Sequence, residues 1–294
     1  MRDTDAPLPA DAPLPANPPL PADAPLPARA NDVYRVRNVL GRETLYMNWG
    51  LWEPAIRDLD EAARTLVLRI GRLARINPEV RLLDVGFGFG DQLLDWCRHS
   101  GLCHGEGINI CPEQTEIARR RLASAGLADR VHVQVADAVT LPFEAGSFDA
   151  VTAIECAFHF QTRERFFHEA RRVLRPHGRL VLADFIGTDH PGRRQRLAKR
   201  LASKYWGFAP GSFCSAAQYR ATLEKVGFTS ISIEPVTARV IPPGMRYARR
   251  RLWSAEQIRR MQPIAWLTTA AALAVSWVSG DPLPGEYVLV CAEC

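Results

Sequence analysis

From position 81 onward, short apolar runs alternate with stretches whose apolar residues recur at helical spacing. The runs predict strands at 81–85, 103–108, 131–136, 148–154, 179–184, 230–235 and 286–291. Helical patterns fill most of the gaps, at 92–99, 112–125, 163–174, 193–205, 216–226 and 254–278. A further helix is expected over 55–76, where Leu59, Ala62, Leu66, Leu68, Ile70 and Leu73 share the period. Strand, helix, strand in succession is the signature of an α/β fold. It implies a doubly wound, mostly parallel sheet of seven strands with helices on both faces and right-handed crossovers. The last strand follows a long insertion and is expected to run antiparallel.

Composition narrows the class. The chain has 294 residues, 47% of them hydrophobic, enough for one large core or two small ones. Residues 1–30 repeat the unit Asp-Ala-Pro-Leu-Pro-Ala with slips, which predicts an extended polyproline tail outside the core. The folded domain is expected over 31–294. Seven cysteines lie scattered without paired short spacing, so no metal site is expected, and their odd number reads as reduced thiols in a cytoplasmic protein. There is no apolar leader pattern and no membrane-length apolar run. A net charge of +5 is too mild to demand nucleic acid.

The first strand runs into Gly86-Phe87-Gly88-Phe89-Gly90. Glycines let the backbone turn sharply and approach a ligand closely. Dinucleotide sites space their glycines Gly-x-Gly-x-x-Gly; here the third comes one residue early, which suits a ligand without a pyrophosphate. Asn109 ends the second strand, where a polar side chain can bond ribose hydroxyls. Asp137 ends the third, where a carboxylate can accept from an exocyclic amine.

The ordered segments LDVGFGFG, GINICPEQ, ADAVTLPFEAGSFDAV, ECAFHF and RVLRPHGRLVLADF resemble the successive motifs of class I S-adenosylmethionine-dependent small-molecule methyltransferases, over residues 34–286. The resemblance implies a Rossmann-like fold and S-adenosylmethionine as cofactor. Asp84 with Gly86, Gly88 and Gly90 would hold the methionine end. Asn109 and Ile110, assisted by Gln114, would face the ribose, although the family usually has an acid where Asn109 stands. Asp137 and Ala138 would bracket the adenine. The backbone near Glu155 would receive the methionine amino group, and the Glu155 side chain would bond the cofactor amine or help deprotonate a carbon acid.

His159, just past the fourth strand, is the candidate base, since an imidazole titrating near about 6.5 can take a hydroxyl proton at neutral pH. A packing or gating histidine is its alternative. In related sugar O-methyltransferases a His here and an Asp at the fifth strand tip act together, which makes Asp184 a candidate helper; otherwise it caps a turn. Tyr34, Tyr46, Trp49, Trp52 and Phe158 would form an aromatic lid and substrate wall, or staple the N-terminal helices (31–78). The fourth strand tip lacks the Asn/Asp-Pro-Pro-aromatic signature of enzymes that methylate nucleic-acid amines, which argues against nucleic acid as partner.

Insertions 187–215 and 238–282 would cap the acceptor site. The second opens with Arg246, Arg249, Arg250 and Arg251 and continues as a helix apolar nearly all round. Such a helix can rest on an anionic membrane surface, line a pocket for an apolar acceptor, pack in a homodimer, or lie buried as a plain cap. The expected activity is methyl transfer to an O or C atom of a hydrophobic small molecule of specialised metabolism. Its alternatives are lipid or quinone methylation at a membrane surface and a non-methylating reaction, such as cyclisation, on the same cofactor site.

Overall fold

The computed structural model describes residues 41–188, 212–254, 258 and 285–294. The proline-rich tail, Tyr34, the 193–205 helix and nearly all of the 254–278 helix lie outside that set.

Helix α1 (Leu59–Leu73) starts where Asp58 accepts the Glu61 N–H at 2.9 Å, a side-chain N-cap. It buries Ala62, Ala63, Leu66, Val67 and Ile70 and packs on α2 (Asp91–His99). The Trp96 indole N–H of α2 donates to the Val67 carbonyl at 2.9 Å. A side chain at Gly71 would meet that indole at 2.7 Å, so the close helix crossing requires the glycine.

The sheet contains β1 (Arg81–Val85), β2 (His104–Asn109), β3 (Val131–Val135), β4 (Phe148–Ile154), β5 (Leu174–Ile186), β6 (Thr229–Pro235) and β7 (Glu286–Glu293). Their order is β3-β2-β1-β4-β5-β7-β6. The pairs from β3 to β5 are parallel, and β7 runs antiparallel to both β5 and β6, as the pattern of runs and insertions predicts. Helices α3 (Pro112–Ser124), α4 (Arg163–Val173), α5 (Ala216–Val226) and α6 (Thr237–Leu252) complete the described elements. Strand side chains alternate between the faces. Leu82 and Val181 enter the core beneath α1 and α2, and Leu83, Leu180 and Leu182 enter the core beneath α4 and α5. This is the Rossmann-like arrangement, with its switch point between β1 and β4, where ligands bind beyond the strands' carboxyl ends.

Two elements differ from the sequence expectation. β5 begins at Leu174, directly after α4, rather than at 179. Helix α6 was not expected, because Pro242-Pro243-Gly244 reads as a breaker. The Arg239 carbonyl, which Pro243 cannot satisfy, accepts the Trp52 backbone N–H at 2.8 Å. Gly244 lies against Trp49 and Trp52, where a Cβ would meet the Trp49 ring at 3.1 Å. A neighbouring loop thus replaces the hydrogen bond the proline removes. No described helix is long and apolar enough to cross a membrane.

Candidate functional site

The turn after β1 holds Gly86, Gly88 and Gly90 at φ of 75°, 58° and 87°, in the left-handed region that favours glycine. A Cβ on Gly86 would meet the Cys156 sulfur at 2.7 Å, so the turn crosses tight over the β4 tip. A Cβ on Gly88 would meet Met47 Sδ at 3.7 Å, and the residue's bare backbone lines a cavity. Gly90 does not line it; it caps α2 and packs on Ala118. The Phe87 ring fills the space above Gly107, where a Cβ would sit 2.8 Å from it.

The cavity has a volume of about 440 Å³ and follows the carboxyl edge of the sheet. Asp137 and Ala138 line it beyond β3, then Asn109, Ile110 and Gln114 beyond β2, then the glycine turn with Gln92. Glu155, Cys156, His159, Phe160 and Gln161 line it beyond β4, and Leu45, Tyr46, Met47 and Asn48 from the N-terminal segment. Asn109 donates from Nδ2 to Gln114 Oε1 at 2.8 Å, while its Oδ1 accepts the Cys111 N–H at 3.1 Å. The pair is buried and neutral where the resemblance leads one to expect an acid.

Two carboxyls nearby are pushed up by burial. Asp84 rises to about 7; Thr152 Oγ1 donates to it at 2.8 Å and Gln92 Nε2 at 2.9 Å. It does not line the cavity. Its reach to the site runs through Gln92, which sequence reasoning missed although it stands two residues past the last glycine of the turn. Glu155 rises to about 8, chiefly through burial; the Trp49 N–H and the Tyr287 hydroxyl, each 2.8 Å from Oε1, oppose the rise, and Asp184 adds to it. His159 sits on the short 3-10 turn Ala157–His159, its ring centroid 4.2 Å from that of Phe158.

Several expected site residues stand elsewhere. Asp184 is fully buried and does not line the cavity. Arg163 grips it from Nε at 2.8 Å and Nη2 at 3.1 Å, and the Tyr219 hydroxyl donates at 3.0 Å. Tyr46 lines the cavity, but its hydroxyl is held by Asp95. Trp49, Trp52 and Phe158 lie behind the lining: Trp52 packs on Tyr247 of α6 at 5.4 Å, and Phe158 meets Phe185 edge-on. The cavity wall on that side is Met47 and Asn48, which carry no aromatic signal. Arg246, Arg249 and Arg250 are exposed on α6, whereas Arg251 is buried.

The chemistry of this set fits S-adenosylmethionine. Bare backbone at Gly88, neutral amides at Asn109 and Gln114, and a carboxylate at Asp137 offer contacts to a nucleoside. Glu155 and Gln92 offer polar groups at the opposite end. A profile described as "Methyltransferase domain" matches residues 83–182. Erythromycin 3''-O-methyltransferase of Saccharopolyspora erythraea is 32% identical over 215 residues, which span 71% of this chain and 70% of the relative. 27-O-demethylrifamycin SV methyltransferase of Amycolatopsis mediterranei is 32% identical over 204 residues, 69% and 74% of the two chains. Among solved structures, the [4+2]-cyclase SpnF superposes with a TM-score of 0.67 at 25% identity, covering 84% of this chain and 87% of that one. The chain belongs to the class I S-adenosylmethionine-dependent methyltransferases of natural-product type, with S-adenosylmethionine as its cofactor.

Proposed function

We propose that the protein transfers a methyl group to a hydroxyl oxygen of a hydrophobic small molecule, with His159 as the base. The observation that carries this reading is that His159 lines the same cavity as the glycine turn, at the end opposite Asp137. When bound, the cofactor supplies an electrophilic methyl group on a sulfonium. Gly86, Gly88, Asn109, Gln114 and Asp137 would hold it. What remains for the chain is to fix the acceptor in line, exclude water and take up the hydroxyl proton. Phe160 and the Phe158-backed imidazole make the β4 side of the cavity aromatic, which favours an apolar acceptor. The erythromycin relative's name, a 3''-O-methyltransferase, supports an oxygen acceptor. Asp184 is better read as an anchor of the site's floor, because Arg163 and Tyr219 already claim its oxygens.

The test offers 3''-O-demethylated erythromycin and 27-O-demethylrifamycin SV as first acceptors, with wild type and His159→Ala. The expected result is a fall in kcat of roughly 10²–10⁴-fold in the variant at saturating cofactor. Full retained activity would remove His159 from the role. A second reading, a non-methylating reaction on the same site, is favoured by the likeness to the SpnF cyclase.

A further inference from the structure

Residues 42–49 form a strap outside any helix or strand, and its Leu45, Tyr46, Met47 and Asn48 line the cavity. Backbone N–H groups in such a segment need acceptors, and carboxylates supply them. Asp60 takes the N–H groups of Arg42, Glu43 and Thr44 at 2.7, 3.3 and 3.1 Å. Asp91 takes that of Leu45 at 3.3 Å, and Glu155 that of Trp49 at 2.8 Å. Asp60 stands on α1 and Asp91 opens α2, whereas Glu155 belongs to the β4 tip; Asp91 and Glu155 both line the cavity.

Glu155 also has a φ of 51°, a conformation that disfavours any residue with a Cβ. Glycine would fit the backbone better. A carboxyl stands there instead, and its Oε1 joins three parts of the molecule: the β4 tip, the strap through Trp49, and β7 through the Tyr287 hydroxyl at 2.8 Å. We propose that Glu155 is a positioning residue that latches the 42–49 strap over the cofactor, so that retention of the cofactor depends on this side chain as well as on the backbone beside it. The inference rests on the cofactor assignment of the same cavity.

Two substitutions separate the latch from a structural role. Glu155→Gln keeps an oxygen that accepts from both Trp49 and Tyr287. Glu155→Gly deletes the latch and frees the backbone. Binding of S-adenosylhomocysteine is measured by calorimetry, its dissociation by stopped flow, and amide hydrogen exchange is followed over 42–49. The expected result is that Glu155→Gln, which can still accept from Trp49 and Tyr287, keeps amide exchange over 42–49 near wild type. Glu155→Gly binds roughly tenfold more weakly or worse, through faster dissociation, with faster exchange confined to the strap. Should the glycine variant fail to fold, Glu155→Ala takes its place with the same expectation. Wild-type affinity and strap exchange in the latchless variant would overturn the latch, as would equally fast strap exchange in Glu155→Gln. No binding by the wild-type protein would instead overturn the cofactor assignment on which the latch rests.

Discussion

Asp84 lies one residue before the end of β1 and Glu155 one residue past the parallel neighbour β4, and burial pushes both carboxyls up, to about 7 and about 8. Unfolded, each would titrate near about 4. Between those values the folded chain holds more protons than the unfolded one, so stability falls as pH rises from about 4 to about 8. For Glu155, Asp184 adds to the rise while the Trp49 N–H and Tyr287 hydroxyl oppose it. Thermal melts of the ligand-free protein should therefore show Tm declining across that range. The upper part of the decline should flatten in Glu155→Gln, which has no proton to lose; parallel curves would contradict the assignment. At this scale the sequence was half legible. The glycine turn, Asn109 and Asp137 are carried by motifs at strand tips, and they line the cavity. Gln92, Met47 and Asn48 were not visible, because a helix's first turn and a bridging loop carry no periodic signal that says which way a side chain faces.

At the scale of elements, β5, α4 and α5 meet on one buried ion pair. Arg163 of α4 holds Asp184 of β5, and Tyr219 of α5 closes the group. Arg163 Nη1 also donates to the Ser212 carbonyl, and Ser212 Oγ bonds the Phe158 carbonyl beside His159 at 2.6 Å. Asp184→Asn leaves the guanidinium buried without its full countercharge and should cost about 3–5 kcal/mol. The measurement is chemical denaturation: a lowered midpoint supports the anchor, and an unchanged midpoint with lost activity would return Asp184 to catalysis. The seven strands, the mostly parallel sheet and the antiparallel β7 were legible, because alternating apolar runs and helical patterns imply parallel crossovers and the long insertion breaks that pattern. Helix α6 was not. Its Pro242-Pro243-Gly244 is permitted only because Trp52 satisfies the Arg239 carbonyl and Gly244 lets Trp49 lie close, and both contacts join residues nearly two hundred positions apart. Local rules do not carry that information.

Across the whole molecule, the sheet sets the division of labour. Its β3–β1 side, with Asp137, Asn109 and Gln114, offers a nucleoside site, and the β4 tip brings Glu155 and His159 to the other end of one cavity. Just past the N-terminal strap, Trp52 packs on Tyr247 of α6. Function at the level of cofactor was therefore readable from ordered motifs, whereas the acceptor depends on walls that no motif encodes. The most direct test of methyl transfer is the intact mass of the product, read together with released S-adenosylhomocysteine, after the protein, S-adenosylmethionine and the two demethylated acceptors are combined. The account predicts an acceptor heavier by one CH2 unit, methylated on oxygen, with one equivalent of S-adenosylhomocysteine. An acceptor rearranged at unchanged mass, with no S-adenosylhomocysteine released, would contradict it.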